Sequence, residues 1–321
     1  MLKYIISISL LLECTPIYSQ ISIVWYNVEN AFDTIDDPAK IDEEYLPQSS
    51  KEWVSWKYWT KLNRTAKVLR NSTGYEAPDI ICLGEIENNT VLYDLSRRHP
   101  LKNIGYRLVH YESPDLRGID VGMLYNPKTI NAFSSRAIHV DLPEGKKTRD
   151  ILLVSVETKD KDTLHLFLNH WPSRRGGQNS SNEKRIIAAK HLLKEVDSLE
   201  KASSINHIIV TGDFNDGPEN ESLQWLKRHG MTLLMEDWPK TMGTHRHSGE
   251  WEYLDQWILS ESLSTGTYFK IDSYIYYTEP MVKPSSKYPG IEPRRSWAGQ
   301  RFVNGYSDHL PIVLKLTRRP D

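Results

Sequence analysis

Nine short apolar runs of strand length recur along the chain, and this recurrence constrains the fold more than any other feature of the sequence. The runs lie at residues 22–27, 79–83, 106–111, 119–125, 151–157, 164–169, 207–211, 254–259 and 312–316. Helical spacing of apolar residues at 56–69 and 183–199 predicts two helices between them. Many strands with few helices predict packed sheets covered by outer helices. The polar segment 159–162 joins two runs like a hairpin, so we expect part of the sheet structure to be antiparallel.

The chain has 321 residues, of which 26% are charged and 39% hydrophobic, and its formal net charge is −2. This length suffices for one large α/β domain or two small ones with a full core. A near-neutral chain does not coat DNA through non-specific attraction to phosphates, so nucleic-acid binding would need a local basic patch. No repeat or linker divides the sequence, and we predict one domain over residues 20–321, a monomer without a stable protein partner. Residues 34–55, 173–182 and 280–305 are the predicted long loops.

The first residues have the features of an export signal. Lys3 gives a positive start, residues 5–12 form an apolar core, and Ser19 supplies a small residue for cleavage. The apolar core is too short to cross a bilayer, and nothing else in the sequence is hydrophobic enough for an anchor. We therefore predict a signal peptide at residues 1–19 and a periplasmic or extracellular protein without a transmembrane segment. A buried N-terminal strand and lipid attachment at Cys14 are the alternatives.

Three of the runs have clusters of Asp, Asn and His at one end. The clusters are Asn169-His170-Trp171-Pro172, Thr211-Gly212-Asp213-Phe214-Asn215-Asp216 and Tyr306-Ser307-Asp308-His309-Leu310-Pro311. Polar groups at the ends of several apolar strands predict one site that is assembled from these strand ends. Asp213 can accept a proton from water while Asn215 holds a phosphoryl oxygen. A turn rich in Asp and Asn is the alternative interpretation of this segment.

Further polar side chains stand at other strand ends. Glu85 follows the run 79–83, and Asn27 and Glu29 end the first run. Such oxygen donors suit Mg²⁺ or Mn²⁺, and a solvated loop is the alternative. His170 is suited to acid or base chemistry near neutral pH, with a surface or capping role as the alternative.

Of the two histidines, His309 is the stronger candidate for a functional residue, because it stands beside Asp308. Asp255 is the candidate carboxylate that orients the His309 imidazole while Asp308 faces a metal ion. The sequence has no Walker-type loop, no Rossmann fingerprint, no thiol nucleophile and no tight Cys/His zinc spacing. The remaining carboxylates, imidazoles and carboxamides suit attack by an activated water, which is what the hydrolysis of a phosphate ester requires.

Six motifs, taken in order, resemble the endonuclease/exonuclease/phosphatase superfamily, which includes enzymes similar to deoxyribonuclease I and to abasic-site endonucleases. The motifs are Trp25-Tyr26-Asn27-Val28-Glu29-Asn30, Leu83-Gly84-Glu85, Asn169-His170-Trp171-Pro172, Gly212-Asp213-Phe214-Asn215, Leu254-Asp255 and Ser307-Asp308-His309. The resemblance covers residues 21–317. Two positions depart from the nuclease pattern, because Gly84 stands where many relatives have Gln and Glu29 stands where some nucleases have Asp.

The resemblance implies an α/β fold, a four-layer α/β/β/α sandwich with two mixed central sheets and one site at their edge. It implies a Mg²⁺ or Mn²⁺ cofactor with the ligands Glu85, Asn27, Asp308 and Glu29. It implies a catalytic set in which Asp213 is the base, Asn215 holds the scissile phosphate, His309 pairs with Asp255, and His170 lies opposite. The implied reaction is in-line attack of water without a covalent enzyme intermediate.

Three basic segments flank this predicted site. Their candidate substrate-binding residues are Arg174, Arg175, His245, Arg246 and Arg295. Solvated loop charges are the alternative, but three such segments together favour a polyanionic substrate. The sequence therefore predicts a secreted, metal-dependent endonuclease that hydrolyses phosphodiester bonds of DNA or RNA. The alternatives are a phosphohydrolase of phospholipids, similar to sphingomyelinases, or of phosphorylated sugars, and a catalytically inactive binding module.

Overall fold

A computed structural model of the protein describes residues 19–174, 177–202, 207–266 and 269–319. Residues 1–18 of the predicted export signal, which include Cys14, lie outside the described residues, and so does Arg175. Among the described residues, no helix has both the length and the apolar character that crossing a membrane requires.

Eighteen strands and five helices make up the described chain. In chain order the strands are β1 Gln20–Ala31, β2 Ile80–Ile86, β3 Arg107–His110, β4 Asp120–Tyr125, β5 Ile130–Ile138, β6 Ile151–Thr158, β7 Thr163–His170, β8 His207–Asp213, β9 Thr232–Leu233, β10 His245–His247, β11 Glu250–Glu252, β12 Asp255–Leu259, β13 Phe269–Ile275, β14 Val282–Pro284, β15 Ile291–Pro293, β16 Trp297–Ala298, β17 Arg301–Phe302 and β18 Ile312–Arg318. The helices are α1 Ser55–Asn71, α2 Asn89–Ser96, α3 Gln178–Ala202, α4 Glu221–Arg228 and α5 Glu261–Ser264. Short 3₁₀ turns lie at Glu43–Tyr45, Pro143–Gly145 and Glu279–Met281.

Two six-stranded sheets form the centre of the fold. The first has the order β13-β18-β1-β2-β4-β3, and the second has the order β5-β6-β7-β8-β12-β9. The two middle strands of each sheet are parallel, β1 with β2 and β7 with β8, whereas the other neighbours are antiparallel. Both sheets are therefore mixed, as the sequence predicts.

Each sheet is covered on both faces, which explains why its strands are continuous apolar runs rather than alternating ones. The cluster between the two sheets includes Ile23, Trp25, Cys82, Val154, Leu166 and Trp257. On the outer face of the first sheet, Tyr26 belongs to a cluster with Leu62 of α1. On the outer face of the second sheet, Phe167 belongs to a cluster with Leu192 of α3. These three clusters confirm the predicted four layers.

All nine predicted runs are strands, but the sequence does not reveal the outermost strands β5 and β13. Both lie at the edge of a six-stranded sheet. Along β5 most side chains are exposed or half-buried, and β13 has the same character after its first residue. An edge strand buries less of its surface, so its sequence carries polar residues that hide the strand pattern.

The predicted loop at residues 280–305 is wrong in part, because this segment forms the hairpins β14–β15 and β16–β17. Met281 and Trp297 are buried and join the cluster beneath α1, which fixes the segment against the first sheet. Two predicted helices are confirmed as α1 and α3, and α3 begins within the predicted loop 173–182. The eight-residue helices α2 and α4 are too short to give a clear helical period.

Gly212, just before the end of β8, allows β8 to approach β7 closely. Its φ is +156°, and a Cβ at this position would lie 2.2 Å from the carbonyl oxygen of Asn169. We expect Gly212→Ala to lower the free energy of unfolding by about 2–4 kcal/mol, because the paired strand cannot retreat. Gly74→Ala is the matched control, since φ is +91° there and a Cβ meets no described atom within 4 Å. It should cost only about 1 kcal/mol of backbone strain. If urea unfolding shows the same loss of unfolding free energy for both variants, the steric argument is contradicted.

Candidate active site

The parallel middle strands of both sheets end at the same side of the sandwich. β1 and β2 bring Asn27 and Glu85 there, and β7 and β8 bring His170 and Asp213. β12 runs antiparallel to β8, so its first residue, Asp255, pairs with Asp213. The direction of the strands thus gathers residues that are far apart in the sequence.

A cavity of about 490 Å³ opens at this edge. The predicted site residues that line it are Glu85, His170, Arg174, Asp213, Asn215, His245, Asp308 and His309. Asn27 and Asp255 are buried directly behind this lining. The structure therefore brings together most of the residues that the sequence predicts.

His309 is held by the buried carboxylate of Asp255, which is itself held by a hydrogen bond from the first sheet. Its Nδ1 lies 2.7 Å from Oδ2 of Asp255, and Nε1 of Trp25 donates a hydrogen bond of 2.6 Å to the other oxygen of Asp255. Nε2 of His309 lies 3.8 Å from Oδ2 of Asp213. Burial lowers the pKa of His309, but Asp255 and Asp213 raise it well above its ordinary value. His309 is therefore a cation at neutral pH.

Asp213 lies at the centre of the site. Its Oδ2 accepts a hydrogen bond of 3.0 Å from the amide of Asn27, and Nε2 of His170 lies 3.6 Å away. Its Oδ1 accepts the backbone N–H of Asn215 at 2.9 Å. Burial raises the pKa of Asp213 to about 7, although the nearby His309 opposes this shift. A carboxylate with a pKa near neutrality is suited to accept a proton from water.

Glu85 occupies a strained backbone position beside Asp213. Its φ is +62°, which non-glycine residues adopt rarely and mostly where function requires it. Oε2 of Glu85 accepts the N–H of Asn30 at 2.8 Å, and Oε1 lies 3.5 Å from the amide nitrogen of Asn27. With Asp308 in the lining of the same cavity, Glu85 supplies the hard oxygen donors that Mg²⁺ and Mn²⁺ prefer. These residues fit the predicted metal ion.

His170 and Asn215 complete the lining of the site. Burial, together with Arg149 and Arg117, lowers the pKa of His170 well below its ordinary value, so its imidazole is neutral. Asn215 has a φ of +51°, and its side-chain nitrogen donates a hydrogen bond of 3.0 Å to the carbonyl of Trp171. This contact ties the end of β8 to the end of β7.

Glu29 and Arg295 are bound to each other rather than turned toward the cavity. Oε1 of Glu29 accepts Nε of Arg295 at 3.1 Å, and its other oxygen accepts the N–H of Ser296. Arg295 also donates a hydrogen bond of 3.0 Å to Asp308. Burial raises the pKa of Glu29 to about 7, and Asp308 adds to this shift. Both carboxylate oxygens of Glu29 are engaged by Arg295 and Ser296, so we do not include it in the metal site that we propose below.

The other predicted substrate residues differ in their surroundings. Arg174 lines the cavity and donates a hydrogen bond of 2.7 Å to the carbonyl of Asn215. His245 also lines it, and burial next to His309 lowers the pKa of His245 to about 4. Arg246 instead donates to the carbonyls of Gly249, at 3.0 Å, and Ile291, at 2.8 Å, so it ties the β10–β11 turn to β15.

Arg117 is a cavity residue that the sequence does not reveal. It lies in the loop between β3 and β4, and its Nη2 donates a hydrogen bond of 2.6 Å to the side chain of Asn30. This loop contains no strand pattern and no motif of the resemblance. In the sequence, Arg117 is an isolated basic residue beside Gly118, and nothing there indicates that it faces the site.

Two mixed sheets between helices, with carboxylates, imidazoles and an asparagine at one edge, form a phosphodiesterase fold. The chain belongs to the endonuclease/exonuclease/phosphatase family, whose sequence model matches residues 22–318. No curated protein was found to match the chain in sequence.

Solved structures of low sequence identity share the fold. An endonuclease/exonuclease/phosphatase family protein from Bacteroides thetaiotaomicron is 14% identical, with a TM-score of 0.62 over 95% of this chain and 100% of that one. D. rerio TDP2 complexed with single-strand DNA product is 16% identical, with a TM-score of 0.60 over 93% and 99%. The human Nocturnin catalytic domain with bound sulfate is 17% identical, with a TM-score of 0.60 over 94% and 95%.

Proposed function

We propose that the chain is an exported, metal-dependent phosphodiesterase, and specifically an endonuclease that hydrolyses DNA or RNA. The observation that carries this proposal is the position of Asp213. It lies between the neutral His170 and the cationic His309, with Asn215 and Glu85 in the same cavity. This is a base surrounded by groups that hold phosphoryl oxygens.

In the proposed reaction Asp213 takes a proton from a water molecule, and the water oxygen forms a bond to phosphorus as the bond to the leaving oxygen breaks. Nε2 of His309 faces the cavity because Nδ1 is bound to Asp255, so the cation can donate to a phosphoryl oxygen. Asn215 and His170 hold the phosphate from the side of the second sheet. Positioning and charge stabilisation of this kind supply most of the acceleration in phosphoryl transfer.

Glu85, Asp308 and Asn27 are the residues that we propose for the metal ion. A bound Mg²⁺ or Mn²⁺ would neutralise the charge that develops on the phosphoryl and leaving oxygens. Asn30 orients the carboxylate of Glu85 through its backbone N–H. Burial alone would raise the pKa of Asp308. The charges of His309 and Arg295 outweigh this effect and lower the pKa below its ordinary value, so this carboxylate is ionised.

A nucleic-acid substrate is supported by the charges on the cavity wall. Arg117 and Arg174 line it together with His245. D. rerio TDP2, which shares the fold, is solved with a single-strand DNA product. A phospholipid head group is the second candidate, because Leu116, which precedes Arg117 in the sequence, and its backbone partner Ile41 are both more than half exposed. Such apolar side chains are typical of a surface that contacts lipid.

The test is a substrate panel with the purified chain. Plasmid DNA, structured RNA, sphingomyelin vesicles and bis-p-nitrophenyl phosphate are each incubated with Mg²⁺, with Mn²⁺ and with EDTA. We expect metal-dependent cleavage of DNA or RNA that EDTA abolishes. Turnover of sphingomyelin while DNA and RNA stay intact would favour the phospholipid as substrate. If none of the esters is hydrolysed, the catalytic proposal is contradicted.

Glu85→Ala should raise the Mg²⁺ concentration for half-maximal activity by about 10–100-fold or more, since even partners of metal ligands have effects of this size. The measurement is a Mg²⁺ titration of the cleavage rate. Glu76→Ala is the matched control, because Glu76 is exposed and does not line the cavity. An unchanged Mg²⁺ requirement in the Glu85 variant would remove this residue from the metal site.

A further inference from the structure

A second cluster of potential metal ligands lies outside the cavity lining, where the chain turns from β3 to β4. It consists of His110, Glu112 and Asp120, and one ligand atom from each lies within 4.8 Å of the others. His110 is the last residue of β3 and pairs with Gly122 of β4, two residues after Asp120. Side chains two residues apart in a strand point to the same face, so the hairpin itself brings His110 and Asp120 together.

Two atoms of this cluster are buried without a hydrogen bond among the described residues. They are Nε2 of His110 and Oδ2 of Asp120, which lie 3.3 Å apart. Both side chains are only 1% exposed. Buried polar atoms are rarely left in this condition. Two ligands of a tetrahedral ion at about 2.1 Å would lie roughly 3.4 Å from each other, which matches the observed separation.

The carboxylate of Asp120 is oriented for such a role. Its Oδ1 accepts the backbone N–H of Ser113 at 3.1 Å and also the hydroxyl of Ser113. This leaves Oδ2 directed at His110. Hydrogen bonds to the second oxygen of a ligating carboxylate are a regular part of protein metal sites, because they fix the direction of the ligand.

Glu112 provides the third ligand and a route from solvent. Its side chain is 55% exposed, and one of its carboxylate oxygens belongs to the set of ligand atoms that lie within 4.8 Å of one another. An exposed glutamate has the rotamer freedom to close over an ion.

We propose that His110, Glu112 and Asp120 bind a divalent transition-metal ion, with Zn²⁺ as the best match. One imidazole and two carboxylates form a ligand set that zinc accepts, whereas Ca²⁺ takes six to eight oxygen ligands. Water would complete the coordination through the exposed side of Glu112. This site does not depend on the hydrolysis proposed above.

An ion at this place would fasten both ends of the loop at residues 111–119. The loop carries Arg117 of the cavity wall and Asp115, which lies 3.0 Å from Arg149. Arg149 in turn donates to the carbonyls of His170, at 3.1 Å, and Trp171, at 2.6 Å. The metal would therefore stabilise the loop and, through Arg149, the end of β7.

The test measures Zn²⁺ binding by calorimetry and elemental analysis on the full chain after removal of metals with a chelator. Glu85→Ala is used as the background, so that binding at the cavity does not interfere. We expect one Zn²⁺ per chain, a higher midpoint of thermal unfolding with Zn²⁺, and an affinity that falls at least about 10–100-fold in Glu112→Gln. Because Glu112 is exposed, this variant should fold, and Glu76→Gln is its matched control.

Two results would overturn the proposal. One is a Zn²⁺ affinity and a thermal shift that Glu112→Gln and Asp120→Asn leave unchanged. The other is a thermal shift that Ca²⁺ produces and Zn²⁺ does not, which would exclude a transition-metal site. The readouts are Zn²⁺ binding and thermal unfolding, so the outcome is independent of the proposed reaction.

Discussion

Asp213→Asn should lower the turnover of a phosphodiester by at least about 10³-fold, within the range for loss of a general base. Asn has nearly the same shape and can still accept the backbone N–H of Asn215, which bonds to Oδ1 of Asp213 in the native chain. It cannot take a proton from water. We therefore expect a folded protein that has lost catalysis while it keeps its affinity for the substrate.

Steady-state kinetics on bis-p-nitrophenyl phosphate and on DNA measure this effect, and circular dichroism and urea unfolding verify the fold. Asp237→Asn is the matched control, since Asp237 is exposed and does not line the cavity. If the Asp213 variant keeps a turnover within about tenfold of the native rate, another group is the base. An unfolded variant would instead be diagnosed by its spectrum.

His309→Asn should lower kcat by about 10²–10⁴-fold, because the site loses a cation that stabilises phosphoryl oxygens. It should also reduce stability by about 1–3 kcal/mol, since Oδ2 of the buried Asp255 is left without its partner. Asp255→Asn should lower kcat as well, because the imidazole loses the 2.7 Å contact that orients it. Agreement between the two variants would indicate that they act as a pair.

The measurement combines kcat, the Mg²⁺ titration and urea unfolding for each variant. His229→Asn serves as the control, because His229 is exposed at the end of α4. A His309 variant with normal kcat but reduced stability would give the residue a structural role only. The Mg²⁺ titration separates this case from a damaged metal site, because only a damaged metal site would raise the Mg²⁺ concentration for half-maximal activity.

Part of the site can be predicted because several of its residues stand at the ends of apolar runs. Asp213 follows β8 and His170 ends β7, so the strand pattern alone places them at one edge. These strand ends depend on local sequence, which a single chain displays directly. The pairing of His309 with Asp255, 54 positions apart, is instead what the family resemblance implies.

Contacts between distant segments could not be predicted in the same way. The ion pair of Glu29 with Arg295 joins residues that are 266 positions apart, and no local pattern indicates it. Arg117 reaches the cavity because the β3–β4 loop folds toward Asn30. The buried Lys61, which donates a 2.9 Å hydrogen bond to Ser296, would be read from sequence as a solvated residue of α1.

The pairing of β18 with β1 has a consequence for when activity arises. Ile21 pairs with Leu316, and His309 lies three residues before the strand that makes this pairing. Asn27 leaves the ribosome early, whereas Asp213, its hydrogen-bond partner from the second sheet, follows 186 positions later and His309 later still. The candidate site is therefore incomplete until residue 309 has been made. A chain that is interrupted before residue 309 keeps Asp213 but lacks the imidazole that lies 3.8 Å from it in the candidate site.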